Sequence, residues 1–138
     1  MTDNRMQKDD ATETHIEEAP GSALTVVDLA RQAAAVRHAH KNFVLARVND
    51  HCVRMAVMVG EYPWHRHPHS DECFLVLEGV LEIDVAGERT VRLVPGGLFT
   101  IPAGVRHRTR AAERCVNLCF EGVGAYTDVI FDDDAAPA

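Results

Sequence analysis

From residue 42 onward the chain alternates short apolar runs with turn-forming pairs, a rhythm that predicts β-strands. Residues 43–48 read as a strand, Asn49-Asp50 as a tight turn, and residues 51–59 as a second strand with Val53, Met55, Val57 and Val59 on one face. Gly60 is expected to interrupt it. Residues 72–77 are a dense apolar run, and Glu78-Gly79 turns it into residues 81–85, where Leu81, Ile83 and Val85 alternate with Glu82 and Asp84. Further strands are expected at 89–94, 98–101, 105–110 and 115–121, divided by Gly96-Gly97 and by Pro102-Ala103-Gly104. Residues 120–131 are apolar enough for a closing strand or a dimer arm. Such a series of short strands with Gly or Pro turns predicts an all-β sandwich, jelly roll or small barrel.

The N-terminal part has a different pattern. Residues 1–21 are polar, lack apolar periodicity and end in Pro20-Gly21, and read as a disordered acidic leader. Thr25 followed by Asp28 resembles a capping box. It would open a short Ala-rich helix through Leu29, Ala30 and Ala33 to about Val36, packed on the outside of something larger. Residues 132–138 read as an acidic solvated tail. The expected organisation is a leader (1–21), one domain (22–131) and a tail.

Composition narrows the class. A chain of 138 residues fits one domain, and 46% hydrophobic with 25% charged residues suits a soluble globular protein that folds without disulfides. No apolar run reaches the ~18 residues of a membrane-spanning helix, so no membrane partner is expected. The net charge of −7 resides in the ends, because residues 22–131 hold twelve acids and twelve bases. Without a net basic domain, nucleic acid is not an expected partner. The N-terminus has no apolar signal region, so a cytoplasmic location and four reduced cysteines are expected. Cys115 and Cys119, four apart in a strand, share a face and read as small buried hydrophobes.

The chemistry concentrates in histidine. His65, His67 and His69 fall within five positions. In an extended strand His65 and His67 project from one face with Cα atoms ~7 Å apart, close enough for both imidazoles to reach one ion. Glu72 opens the next strand on the face of Phe74 and Val76, where a carboxylate is costly unless paired or bound to metal. His107 follows the Pro102/Gly104 breaker, and a hairpin-built barrel could bring it alongside. Three imidazoles and a carboxylate form a mixed N/O site suited to one divalent ion, Fe, Mn, Ni, Zn or Cu, with positions left open for a ligand.

The segment His65-Arg66-His67, four residues, Glu72, six residues, Gly79 resembles the first signature of the cupins. Gly96, five residues, Pro102, one residue, Gly104, two residues, His107 resembles their second. Gly60 stands five rather than six positions before His65, and Ala111 stands where the family often has asparagine. The resemblance spans roughly residues 53–121. It implies a jelly-roll (double-stranded β-helix) barrel, His65, His67, Glu72 and His107 as metal ligands, and a homodimer. The implied function is a metal-binding single-domain cupin that acts on or binds a small polar metabolite, of dioxygenase or isomerase type if catalytic, with a non-enzymatic sensor as the alternative.

Other residues divide between roles. His69 follows Pro68 and reads as an exposed loop residue. Tyr62, Trp64, Phe74 and Phe99 suit either a pocket lining or the barrel core. Arg66, Arg106 and Arg108 alternate with the ligands and should face away from them. Asp71 is expected to support the turn or the site's surroundings.

Overall fold

The computed structural model describes residues 17–18, 23–125 and 127–132. Among them, nine strands and one helix follow one another: β1 (Glu17–Glu18), α1 (Leu29–Ala35), β2 (Lys41–Val48), β3 (His51–Arg66), β4 (Glu72–Glu78), β5 (Leu81–Val85), β6 (Thr90–Leu93), β7 (Leu98–Ile101), β8 (His107–Gly122) and β9 (Ile130–Phe131). The fold is all-β, as the strand pattern predicts.

The strands form one hydrogen-bonded sheet in the order β1-β2-β3-β8-β4-β7, with β5 attached to β8, β6 to β5 and β9 to β3. β3 and β8 carry the design. Residues 51–58 of β3 pair with 115–122 of β8, and residues 60–65 pair with 107–111. Between these stretches one residue of β3 stands against Ala112, Glu113 and Arg114, a bulge that turns both strands from one half-sheet into the other. Gly60, at φ +93°, sits at this turn. It bends β3 without ending it, contrary to the expected interruption, and the 105–110 and 115–121 segments belong to one strand rather than two. Gly79 meets the same corner. Its φ is +79°, and a Cβ there would stand 2.3 Å from the Arg114 carbonyl oxygen, so only glycine fits the β4–β5 turn.

The rolled sheet encloses an interior core of Met58, Phe74, Val76, Leu81, Ile83, Leu93, Ile101, Ala111, Cys115 and Cys119, drawn from both half-sheets. Outside it, Phe43, Leu45, Met55, Val57, Val116 and Leu118 pack against Ala33 and Val36 at the helix. Both cysteines of the 115/119 pair are buried in the interior, as expected. β3 therefore buries both faces around residues 54–58, which explains the unbroken apolar run Met55–Val59. The helix begins one turn later than the capping-box reading: Asp28 is itself the N-cap, and its Oδ1 accepts from the Arg31 N–H (3.1 Å).

Both ends of the domain are longer than composition suggests. Glu17–Glu18, inside the segment read as a leader, pairs parallel with Phe43 and Val44, because edge strand β2 offers unpaired backbone groups. The rest of that expectation, 1–16 and 19–21, lies outside the described residues. Of the alternatives for 120–131, the chain forms a two-residue closing strand at Ile130–Phe131 against His65 and Arg66. Asp132, read as tail, donates its N–H to the Trp64 carbonyl (3.0 Å) and accepts from Arg106 Nε. Residues 133–138 lie outside the described residues. No helix among the described residues is long and apolar enough to cross a membrane.

On the outer face of the second half-sheet, Asp84 accepts from Thr90 Oγ1 (2.6 Å), Arg108 Nε (2.7 Å) and Arg110 Nε (2.9 Å). Hydrogen bonding from Arg110 leads the effects that hold this carboxyl below the usual carboxylate range. The unfolded chain, with its Asp near ~3.9, then binds the proton more tightly. The stabilisation is full above that value and disappears as pH falls through the folded-state range. Urea unfolding of Asp84→Asn should show a clear loss at pH 7 that narrows towards pH 3; a deficit independent of pH would contradict this role.

Candidate metal centre

The strand corners place four side chains from separate elements at one point. His65 and His107 are Cα partners in the β3–β8 ladder. A register shift between Tyr62 and His65 brings these residues, three apart, to the same face, with ring centroids 4.7 Å apart. His67 lies just past the end of β3, and Glu72 comes from the opposite half-sheet at the first position of β4. One donor atom from each of His65, His67, Glu72 and His107 lies within 4.8 Å of the others, and all four residues are buried. The four sequence-predicted ligands thus converge. His69 is exposed, as expected.

The loops that carry these residues are tied together. Asp71 Oδ1 accepts from the Ala103 N–H (2.8 Å), which fits its expected turn role, and the Gly104 N–H donates to the His67 carbonyl (2.8 Å). Ser70 Oγ accepts from the Gly122 N–H (2.9 Å). These bonds lock the segment before β4 to the segment before β8 and to the end of β8.

Imidazole orientation decides what the cluster can hold. Each histidine places Nδ1 against a backbone carbonyl: His65 on Pro63 (2.7 Å), His67 on Ala125 (3.0 Å) and His107 on Val105 (2.9 Å). A carbonyl only accepts, so each Nδ1 carries the hydrogen and each neutral ring turns an Nε2 lone pair inward. His67 Nε2 and His107 Nε2 both stand 3.2 Å from Glu72 Oε1. Lone pairs facing a carboxylate oxygen repel unless a cation lies among them. The buried His67 Nε2 has no aligned hydrogen-bond partner. Donor type, tautomer and spacing therefore fit a divalent ion with N and O bonds of about 2.0–2.2 Å.

The surroundings favour positive charge at this point. Burial opposes charge on His67, but the Glu72 carboxylate outweighs it and the imidazole is pushed up to about 9. Burial likewise works against charge on Glu72, yet His67 and the hydrogen bond with His107 hold it well below its usual range. His65 is lowered well below its ordinary value by burial, then by the neighbouring histidines.

A narrow cavity of about 50 Å³ lies beside the cluster. Arg54, Asn42, Tyr62, Thr109 and Asn117 line it together with Met58 and Phe74. Of the four aromatics with two possible roles, Tyr62 and Phe74 line the cavity, and Phe99 packs on the interior core. Trp64 turns to the other side of β3, beneath the guanidinium carbons of Arg106 (5.7 Å) and Arg108 (5.3 Å), so these arginines do face away from the ligands.

Arg54 and Glu121 are what sequence reading missed. They are 4% and 1% exposed, and they were counted among charges that cancel. The signal was strand parity: Arg54 shares a face with Cys52, Ala56 and Met58, and Glu121 with Cys119 and Asn117. Arg54 Nη2 donates to Glu72 Oε2 (3.0 Å), Nη1 to Asn42 Oδ1 (2.6 Å), and Nε to Glu121 Oε1. Burial disfavours the Arg54 charge, but Glu121 and Glu72 outweigh it and the guanidinium stays protonated.

A rolled double-stranded β-sheet with three histidines and a glutamate converging inside defines a small barrel with a buried cluster that could hold a metal ion. The chain belongs to the cupin family: the cupin-domain family model matches residues 53–120. It is 51% identical over 98 residues to the uncharacterized protein YdbB of Bacillus subtilis, an overlap covering 71% of this chain and 87% of YdbB. A cupin-2 domain protein from Shewanella frigidimarina is 30% identical, with a TM-score of 0.66 over 70% of this chain and 94% of that one. The DMSP lyase DddQ from Ruegeria pomeroyi shares the fold at 24% identity and a TM-score of 0.58, over 67% of this chain and 51% of its own.

Proposed function

We propose that this chain is a metal-dependent cupin that binds and transforms a small polar metabolite, with one divalent first-row ion held by His65, His67, Glu72 and His107. The observation that carries the reading is the set of three Nδ1-to-carbonyl bonds, which leaves three Nε2 lone pairs converging on a carboxylate. Bound there, the ion would supply Lewis acidity and open coordination positions for dioxygenase- or isomerase-type chemistry.

The chain's own residues then bind and orient the ligand. Thr109, Asn42 and Asn117 offer hydrogen bonds, and Met58 and Phe74 exclude water from one side. Burial raises the Tyr62 phenol, so it keeps its proton at neutral pH and can serve as a hydrogen-bond donor. A homodimer is part of this reading. It is supported by the outer sheet face, where half-buried Leu75, Leu77 and Phe120 adjoin exposed Leu98.

One observation favours the sensor alternative. Apart from the cluster, the charged group in the cavity wall is Arg54, which is already bound to Glu72, Glu121 and Asn42. Thermal-shift measurements over a grid of metals and metabolites, followed by oxygen-uptake and product assays on each hit, separate the readings. Turnover is the expected result; metabolite stabilisation without turnover selects the sensor, and a protein that no metal stabilises overturns both.

A further inference from the structure

We infer that Arg54, itself held by Glu121 and Asn42, is a positioning residue that fixes the Glu72 carboxylate with Oε2 turned away from the cluster, so that Glu72 serves the cation through Oε1 alone. The inference rests on the metal reading above and deepens it.

The guanidinium is fully engaged on three sides. Nη2 bonds Glu72 Oε2 at 3.0 Å, Nη1 bonds Asn42 Oδ1 at 2.6 Å, and Nε bonds Glu121 Oε1. The other oxygen of Glu72, Oε1, stands 3.2 Å from both His67 Nε2 and His107 Nε2. One carboxylate thus has a cationic fork on one oxygen and the imidazole lone pairs on the other. An oxygen committed to a guanidinium is a poor second donor to a metal, because the two cations compete for the same lone pairs. Geometry therefore separates the two oxygens by role.

Glu121 makes the arrangement workable. A lone buried arginine beside a divalent cation would be repelled by it and would draw Glu72 away. The second carboxylate, opposite Glu72 in the β4–β8 register, neutralises Arg54 in place. Glu72, Glu121 and Arg54 sum to one negative charge. Holding Glu72 to one oxygen also keeps a further coordination position available to a ligand, the role outer residues play around metal ligands generally.

A merely structural ion pair would be replaceable by apolar residues with no effect on the metal. The double variant Arg54→Met/Glu121→Met makes that distinction, since it removes one charge of each sign and leaves the local net charge unchanged. Wild type and variant are titrated with Co²⁺ by calorimetry, and visible absorption of the loaded proteins reports the coordination of the ion. The expected result is a Kd weakened by about 10–100-fold with an altered spectrum. If that variant fails to fold, Arg54→Gln/Glu121→Gln keeps the same net charge and carries the same expectation. A folded variant with the wild-type Kd and spectrum overturns the positioning role alone; a wild-type protein that takes up no Co²⁺ overturns the metal reading and this inference together.

Discussion

Elemental analysis of a His107→Ala protein is expected to find the bound first-row metal gone, against about one equivalent per chain in the unaltered protein. His107 is 0% exposed and begins β8, where it is the register partner of His65 and its Nε2 stands 3.2 Å from Glu72 Oε1. Removing it takes one of the four candidate donors and leaves a hole beside the Phe74 ring. His107 is the most informative of the four to change. Replacing Glu72 would also release Arg54, and His67 is held from a loop rather than from a ladder. Circular dichroism should show the β-fold retained, because β8 keeps its backbone bonds on both sides. A folded His107→Ala protein with a full equivalent of metal would remove the basis of the site.

The second large effect concerns stability. Arg54→Met alone should cost about 3–5 kcal/mol, the usual penalty for stranding a buried charge. Glu72 and Glu121 would then face each other without the guanidinium, in a region where both are almost fully excluded from water. Burial already raises the Glu121 carboxyl against the pull of Arg54. Without that pull its proton would be held more tightly, so the deficit should be larger at pH 8 than at pH 5. Urea unfolding at the two pH values measures it. The Arg54→Met/Glu121→Met variant should recover most of the loss, since no unpaired charge remains beyond the one facing the imidazoles. An Arg54→Met protein within about 1 kcal/mol of wild type would show that the carboxylates have another partner.

The strand series was legible because a half-buried strand alternates and a turn needs Gly, Pro, Asn or Asp; residues 81–85 and 98–101 match β5 and β7 to the residue. The four clustered residues were legible because histidine and glutamate are conspicuous on apolar faces. Less legible was the continuity of β3 and β8. Gly60 and the 112–114 segment read as breaks, yet a bulge satisfies the ladder on either side of them. The identity of α1's cap also escaped, since Thr25 and Asp28 are both good caps and only the backbone selects between them.

Local pattern by itself determined the all-β class, most turn positions and the candidate histidine and glutamate cluster, because those depend on periodicity and residue chemistry within a few positions. Tertiary structure alone decided which face of β3 points inward. It carried Arg54 beside Glu121, 67 residues away, turned Trp64 out and Tyr62 in across one bulge, and gave each imidazole the carbonyl that sets its tautomer. The reason is physical: hydrogen-bond partners and burial on both faces of a strand are properties of the closed barrel, and no short window of sequence contains them.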